Sequence, residues 1–227
     1  MNGRMRTNAV ALPCERLAAH AAAAKPAPAI VHGRAVWRLA RALLQVVGGL
    51  LTVQLVFPWL GSRARERLVG RWSRQMLCAL GVHVEHQGCL DDGARLLVAN
   101  HISWLDVMAL HAFCGRARFV AMAELQRWTV VARLVAAAGT IYLQRERKRD
   151  LLRVVREVTA ALHKGAHVAV FPEGVVSDGR GLQHFHGNLL QSAIDAGVTV
   201  QPVALRYADT AGPVSDAVLF TGGVTLM

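Results

Sequence analysis

Between residues 82 and 207 short apolar runs alternate with longer stretches of helical character, and few folds accommodate such a pattern. RLLVA at 95–99, ARFVAM at 117–122, TIYL at 140–143, HVAVF at 167–171 and TVQPVALRY at 199–207 read as strands. VHVEH at 82–86 alternates in period two and reads as a further strand, with Asp91-Asp92-Gly93 as the turn behind it. Helices are expected over about 104–113, 124–137, 149–163 and 188–196, and a polar, glycine-rich loop from Pro172 to Gly187. Strands separated by helices imply an α/β domain over 82–227. Its single, mostly parallel sheet must be flanked by helices on both faces. In such sheets ligands bind at the carboxyl ends of the strands.

A second feature is the uncharged run from Ala42 to Ser62, flanked by Arg34, Arg38 and Arg41 on one side and Arg63, Arg65 and Arg67 on the other. As a helix it would reach about 31 Å, the thickness of a bilayer core. It suits a membrane span, or a helix lying in the interface with Trp37, Trp59 and Trp72 at headgroup level; a buried core helix also fits its length. The run begins too deep in the chain for a cleavable signal peptide. If it spans, the arginines from Arg63 to Arg74 place the rest of the chain in the cytoplasm. The segment 34–81 is thus a membrane-associated helical region. Residues 1–33, with AAAAKPAPA at 21–29, read as a disordered Ala/Pro-rich leader. The end, TGGVTLM, has no capping helix, and the domain is expected to be truncated there or to continue.

The net charge of +11 at pH 7 is almost wholly arginine, since lysine occurs only as Lys25, Lys148 and Lys164. Such a surface suits anionic lipid, nucleic acid or an acidic carrier protein. Cys14, Cys78, Cys89 and Cys114 have no pairing pattern and read as free thiols of a reducing compartment.

The residues that carry chemistry start at NHISWLD, 100–106. On one helix, His101 and Asp106 would point about 140° apart. Ser103-Trp104-Leu105-Asp106, however, has the form of a capping box with Ser103 as N-cap and Asp106 at the third helical position. His101 then sits in the turn before the helix and Asp106 points back at it. The carboxylate can hold one ring nitrogen and leave the other as a base for an alcohol proton. The plainer alternative, a capping aspartate beside a turn histidine, fits the same residues.

Three further stretches lie at strand ends or in a strand of the same sheet: FPEG at 171–174, GTIYLQR at 139–145 and VQPVALRY at 200–207, whose proline favours an edge or a bulge. Taken in chain order, NHISWLD, GTIYLQR, FPEG and VQPVAL resemble the four motifs of the glycerolipid acyltransferases, the 1-acyl-glycerol-3-phosphate acyltransferase family. The resemblance covers residues 82–207. It implies that His101, oriented by Asp106, is the general base on the hydroxyl of a lysolipid. That oxygen would attack the thioester of acyl-CoA or acyl-carrier protein without a covalent acyl-enzyme. Arg145 would bind the acceptor phosphate, Pro172, Glu173 and Gly174 would shape the acceptor pocket, and Pro202 the acyl-donor side. No metal or organic cofactor is implied, and the expected product is phosphatidic acid, made at the cytoplasmic side of the inner membrane. The chain departs from the family pattern at Val175 and Val176, where threonine and arginine are usual, and at Phe185-His186-Gly187, where lysine is commoner. Lyso-ornithine lipid is therefore an alternative acceptor.

Other chemistries find less support. The histidine pairs 83/86, 163/167 and 184/186 invite a metal reading, but 163 and 167 straddle Gly165 at a helix end and no HExxH is present. GxSxG, GxGxxG and GK[ST] are absent. RERKRD at 145–150 could serve a basic nucleic-acid-binding module, but such a surface would interleave aromatics, whereas the tryptophans cluster near the apolar run. Arg147, Lys148 and Arg149 are assigned instead to headgroups or a carrier protein.

Overall fold

The computed structural model describes residues 28–90, 93–144 and 148–209, with residues 212, 214, 215 and 218 beyond them; for 28–32 and 148 it describes the backbone alone. Five strands form one sheet: β1 (Arg95–Ala99), β2 (Ala117–Met122), β3 (Ile141–Leu143), β4 (His167–Val170) and β5 (Thr199–Val203). Their spatial order is β3-β2-β4-β1-β5, and every pairing is parallel. Successive side chains leave a strand on opposite faces, so the apolar runs feed two cores at once. Leu96, Val98, Val168 and Val170 pack with Val154, Val158 and Leu162 of α5 (Lys148–His163) and Ala193 of α6 (Gln191–Ala196). On the other face Leu97, Ala99, Phe119 and Ala169 pack with Leu110 of α3 (Leu105–Phe113) and with Cys114. Both faces are covered, as a parallel sheet requires.

Four sequence readings are corrected. Val82–His86 is not a strand; the chain there is irregular, and Val82 and Val84 dip into an apolar cluster between α2 (Ser62–Leu80) and α3. Gly81, at φ +82°, ends α2 and lets the Val82 N–H donate back to the Leu77 carbonyl at 2.8 Å. The helix expected over 124–137 is a 3-10 turn, Ala123–Arg127, followed by α4 (Thr129–Ala137), with Trp128 extended between them. The one near 188–196 is a 3-10 turn, Gly187–Leu190, leading into α6. The last strand stops at Val203, four residues short of the apolar stretch.

The apolar run belongs to α1 (Pro28–Leu51), which starts ahead of the expected boundary at 34. It continues through a π turn (Thr52–Val56) and a 3-10 turn (Phe57–Trp59) that contains Pro58, and Gly61 then turns the chain into α2. Gly33–Trp59 is long and apolar enough to cross a membrane, with a mean hydropathy of 1.7. Only 11% of its apolar window is buried, which rules out a core helix; Leu39, Leu44, Val47, Leu51, Leu55 and Trp59 face outward. Trp72 differs from expectation. Its indole N–H donates to the Gln45 carbonyl at 2.8 Å, and it lies so close to Gly49 that a Cβ there would sit 2.6 Å from the indole nitrogen. It joins α1 to α2 rather than facing headgroups. Cys78 and Cys89 are exposed free thiols and Cys114 a buried one, whereas Cys14 lies outside the described residues.

His111 of α3 is buried against Phe119, and its Nδ1 has no hydrogen-bond partner among the described residues. Burial lowers its pKa to about 4. Above the ordinary value of 6.5 the ring is neutral in both folded and unfolded chains. Below it the unfolded chain takes up a proton that the folded one refuses, so stability falls between about pH 6.5 and pH 4 by about 3 kcal/mol. Denaturant midpoints measured across that window should drop in the parent protein and drop less in His111→Leu.

Candidate active site

β1 and β4 are neighbours, so the turns that follow them open side by side, about 4.8 Å apart. The first turn holds Asn100 to Trp104 and leads into α3; the second holds Phe171 to Gly174 and begins the long loop to Gly187. The sheet therefore brings NHISWLD and FPEG together.

Asp106 is fully buried. Its Oδ2 accepts from His101 Nδ1 at 2.8 Å, from the Ile102 N–H at 2.6 Å and from the Ser103 N–H at 2.9 Å. Its Oδ1 accepts from the Tyr207 hydroxyl at 2.7 Å. A buried carboxylate is costly unless hydrogen bonds compensate for lost water, and here both oxygens are engaged at the N-terminus of a helix, where negative charge is favoured. Half of the expected capping box exists. The Asp106 side chain reaches back to the Ser103 N–H, but the Ser103 hydroxyl lies 3.4 Å from the Leu105 N–H instead of capping residue 106. The helix begins at Leu105 with Trp104 before it, because the carboxylate organises the turn 101–103 itself.

His101 is held on three sides. An ionised carboxylate can only accept, so the Nδ1 facing Asp106 carries the proton and Nε2 keeps its lone pair. The imidazole stacks on Phe171, with centroids 4.2 Å apart and planes 18° apart. Its backbone N–H donates to Glu173 Oε1 at 3.1 Å, and its carbonyl accepts from the Ser177 N–H at 2.7 Å and the Ser177 hydroxyl at 3.0 Å. The ring remains 20% exposed, and Nε2 has no hydrogen-bond partner among the described residues.

Glu173 is buried, and its second oxygen accepts from the Gln183 N–H at 3.4 Å. Both carboxylate oxygens thus face main-chain donors. Gly174, at φ +66°, closes the turn with its N–H on the Phe171 carbonyl, and the Pro172 carbonyl accepts from the His186 N–H at 2.9 Å. Gly179, at φ +71°, lies against Ile102; a Cβ there would approach the Ile102 side chain to 3.0 Å. Beyond β5, Asn100 acts as a two-point clamp. Its amide donates to the Leu205 carbonyl at 3.0 Å and accepts from the Leu205 N–H at 2.7 Å.

The structure brings His101, Asp106, Pro172, Glu173 and Gly174 together. Pro202 lies on β5, an edge strand among the described residues, in register with Val98 of β1. Arg145 and Arg147 lie outside the described residues. Sequence reasoning missed Tyr207, Ser177 and the clamp role of Asn100. Of the three only Asn100 carried a hint, as a polar side chain directly after an apolar strand. Burial, aided by the negative charge of Asp106, raises the pKa of the Tyr207 phenol well above the usual value, so it is a hydrogen donor throughout the neutral range.

Glu173→Ala would leave the N–H groups of His101 and Gln183 without their acceptor. Chemical denaturation should show a loss of about 1–3 kcal/mol.

A family model described as Acyltransferase matches residues 81–206. The 1-acyl-sn-glycerol-3-phosphate acyltransferase of Neisseria meningitidis is 39% identical over 66% of this chain and 59% of its own length. The lyso-ornithine lipid O-acyltransferases of Pseudomonas aeruginosa and Rhizobium meliloti are 36% and 33% identical, over 63% and 72% of this chain and 55% and 58% of their own lengths. The chain therefore spans less than two thirds of these relatives. The crystal structure of a 1-acyl-sn-glycerophosphate acyltransferase from Thermotoga maritima shares the fold, with a TM-score of 0.57 at 22% identity over 74% of each chain.

Proposed function

This chain belongs to the acyltransferase family, and on that premise we propose that it moves a fatty acyl group from a thioester onto the free hydroxyl of a lysolipid at a membrane surface. The observation that carries the reading is the 2.8 Å bond between His101 Nδ1 and Asp106 Oδ2, which leaves Nε2 of a partly exposed ring as a base. Nε2 takes the proton of the acceptor hydroxyl as its oxygen attacks the thioester carbonyl. The tetrahedral intermediate collapses with loss of the thiolate, which recovers that proton from the imidazolium. Asp106 holds the ring and stabilises its transient charge. Base catalysis on an alcohol needs neither a metal nor an organic cofactor. The Ser177 hydroxyl is engaged on the His101 carbonyl, which favours direct transfer over an acyl-enzyme.

Acyl-CoA or acyl-carrier protein is the donor, with Pro202 on its side of the site. Pro172, Glu173 and Gly174 shape the acceptor side through the backbone they hold, and Arg145 is the phosphate ligand, since a guanidinium forks two donors onto an oxyanion. The first acceptor is 1-acyl-glycerol-3-phosphate, giving phosphatidic acid, as the name of the Neisseria relative suggests. Lyso-ornithine lipid is the second. Val175 and Val176 are exposed directly after FPEG, so this part of the loop offers a phosphate no cation, and two relatives carry that substrate in their names.

The outward apolar face of α1 supports attachment to the inner membrane, and Trp128 and Val130, at the start of the neighbouring α4, add to that exposed apolar surface. The arginines of α2 favour a site on the cytoplasmic side. An anionic membrane surface, and not nucleic acid, is the partner of the net positive charge.

The test is mass spectrometry of lipids formed from labelled acyl-CoA when lysophosphatidic acid and lyso-ornithine lipid are offered together to protein in vesicles. A labelled diacyl product of either acceptor is expected, and His101→Ala should lower its rate about 10²–10⁴-fold while thermal unfolding is unchanged. Full activity in that variant overturns the base. Salt-sensitive nucleic-acid binding without lipid product would favour a binding module instead.

A further inference from the structure

Three donors reach Asp106 Oδ2 from its own turn, but its Oδ1 is met from far along the chain, by the Tyr207 hydroxyl at 2.7 Å. We propose that Tyr207 is a positioning residue for the base: its hydroxyl fixes the rotation of the Asp106 carboxylate so that Oδ2 faces the imidazole, and it tempers the charge that the ring feels. The proposal rests on the general-base reading above.

The placement of Tyr207 is built, not incidental. After β5 the chain leaves the sheet, and Asn100, next to His101, clamps Leu205 through both of its main-chain groups. Two residues later the Tyr207 ring enters the apolar cluster of Leu77, Leu105 and Met108 between α2 and α3. Its carbonyl is held by the Ser215 N–H at 2.9 Å. Clamp, cluster and carbonyl together aim one hydroxyl at one oxygen. A tyrosine packed against a core tends to need some partner for its O–H, and many polar groups would satisfy one that is partly buried. This partner is the carboxylate that orients the histidine, and the clamp that delivers it is the residue adjoining that histidine.

The consequences have a definite sign. A carboxylate with four donors shares its charge among them. Without the phenol, Oδ1 loses its only donor among the described residues, more charge is available to the Nδ1–H of His101, and the imidazolium becomes easier to form. The titratable side chains in contact with Asp106 among the described residues are His101 and Tyr207. Glu173 reaches the His101 backbone, not the ring.

The test is Tyr207→Phe, assayed in vesicles beside His101→Ala, with kcat, KM and the pH profile of kcat/KM measured for both substrates. The expected result is a kcat lower by about 10- to 100-fold, unchanged KM values, and an acidic limb moved upward by about half a pH unit. A change of stability alone would move neither the limb nor the ratio of kcat to KM. Should Tyr207→Phe fail to fold, 3-fluorotyrosine at 207 keeps the shape with a stronger donor, and the limb should move to lower pH. A limb that stays in place with either replacement, or an unchanged kcat in folded Tyr207→Phe, overturns the role of Tyr207 while an inert His101→Ala leaves the base intact. An active His101→Ala instead defeats the base reading itself.

Discussion

One buried carboxylate organises this domain's working end. Asp106 carries a charge into a region that excludes water, and the surroundings compensate with donors from a side chain of the preceding turn, two amides of that turn and a tyrosine beyond the last strand. Each of these groups is fixed by something else. The turn is pinned by Glu173 and Ser177, which belong to the loop after the neighbouring strand; the tyrosine is delivered by Asn100. Remove the carboxylate, and the turn 101–103 and Tyr207 lose the acceptor they share. Strand order matters for the same reason, because β4 and β5 flank β1, and both supports come from the turns that follow them.

The acyltransferase motifs look different in this light. A sequence motif invites the reading that each polar residue faces substrate. Here the Asn100 amide, the Glu173 carboxylate and the Ser177 hydroxyl bond to main chain, and Asp106 bonds to its own turn and to Tyr207. Much of the polar chemistry near His101 therefore maintains the shape of a backbone, and a single imidazole edge is left open.

How much of this was legible beforehand depends on the range of the interaction. Strands buried on both faces are close to continuous apolar runs, so RLLVA and HVAVF announced themselves. The pairing of His101 with Asp106 was one of two readings the residues allowed, because a strand-to-helix turn can bring the two together within five positions but a capping pattern alone does not require it. Val82 and Val84 misled because period two also arises where an irregular segment drops alternate side chains between helices. The end of β5 was unreadable for a different reason. Apolar residues continue through Leu205, and only the amide of Asn100, over a hundred positions earlier, draws the backbone away from the sheet. Tyr207 inherits that invisibility, and Glu173 shares it, since nothing in FPEG reveals that its carboxylate turns inward.

The open flank of the sheet carries a last consequence. β5 borders no further strand among the described residues, and Val200 is exposed along it. A bare strand of this kind is a template for pairing with other chains. Pro202 stands near its middle with no amide proton to give, and so interrupts the ladder that a stray strand would need to zip along. The ring that breaks this edge thus also makes the strand a poor partner for fibrous self-association.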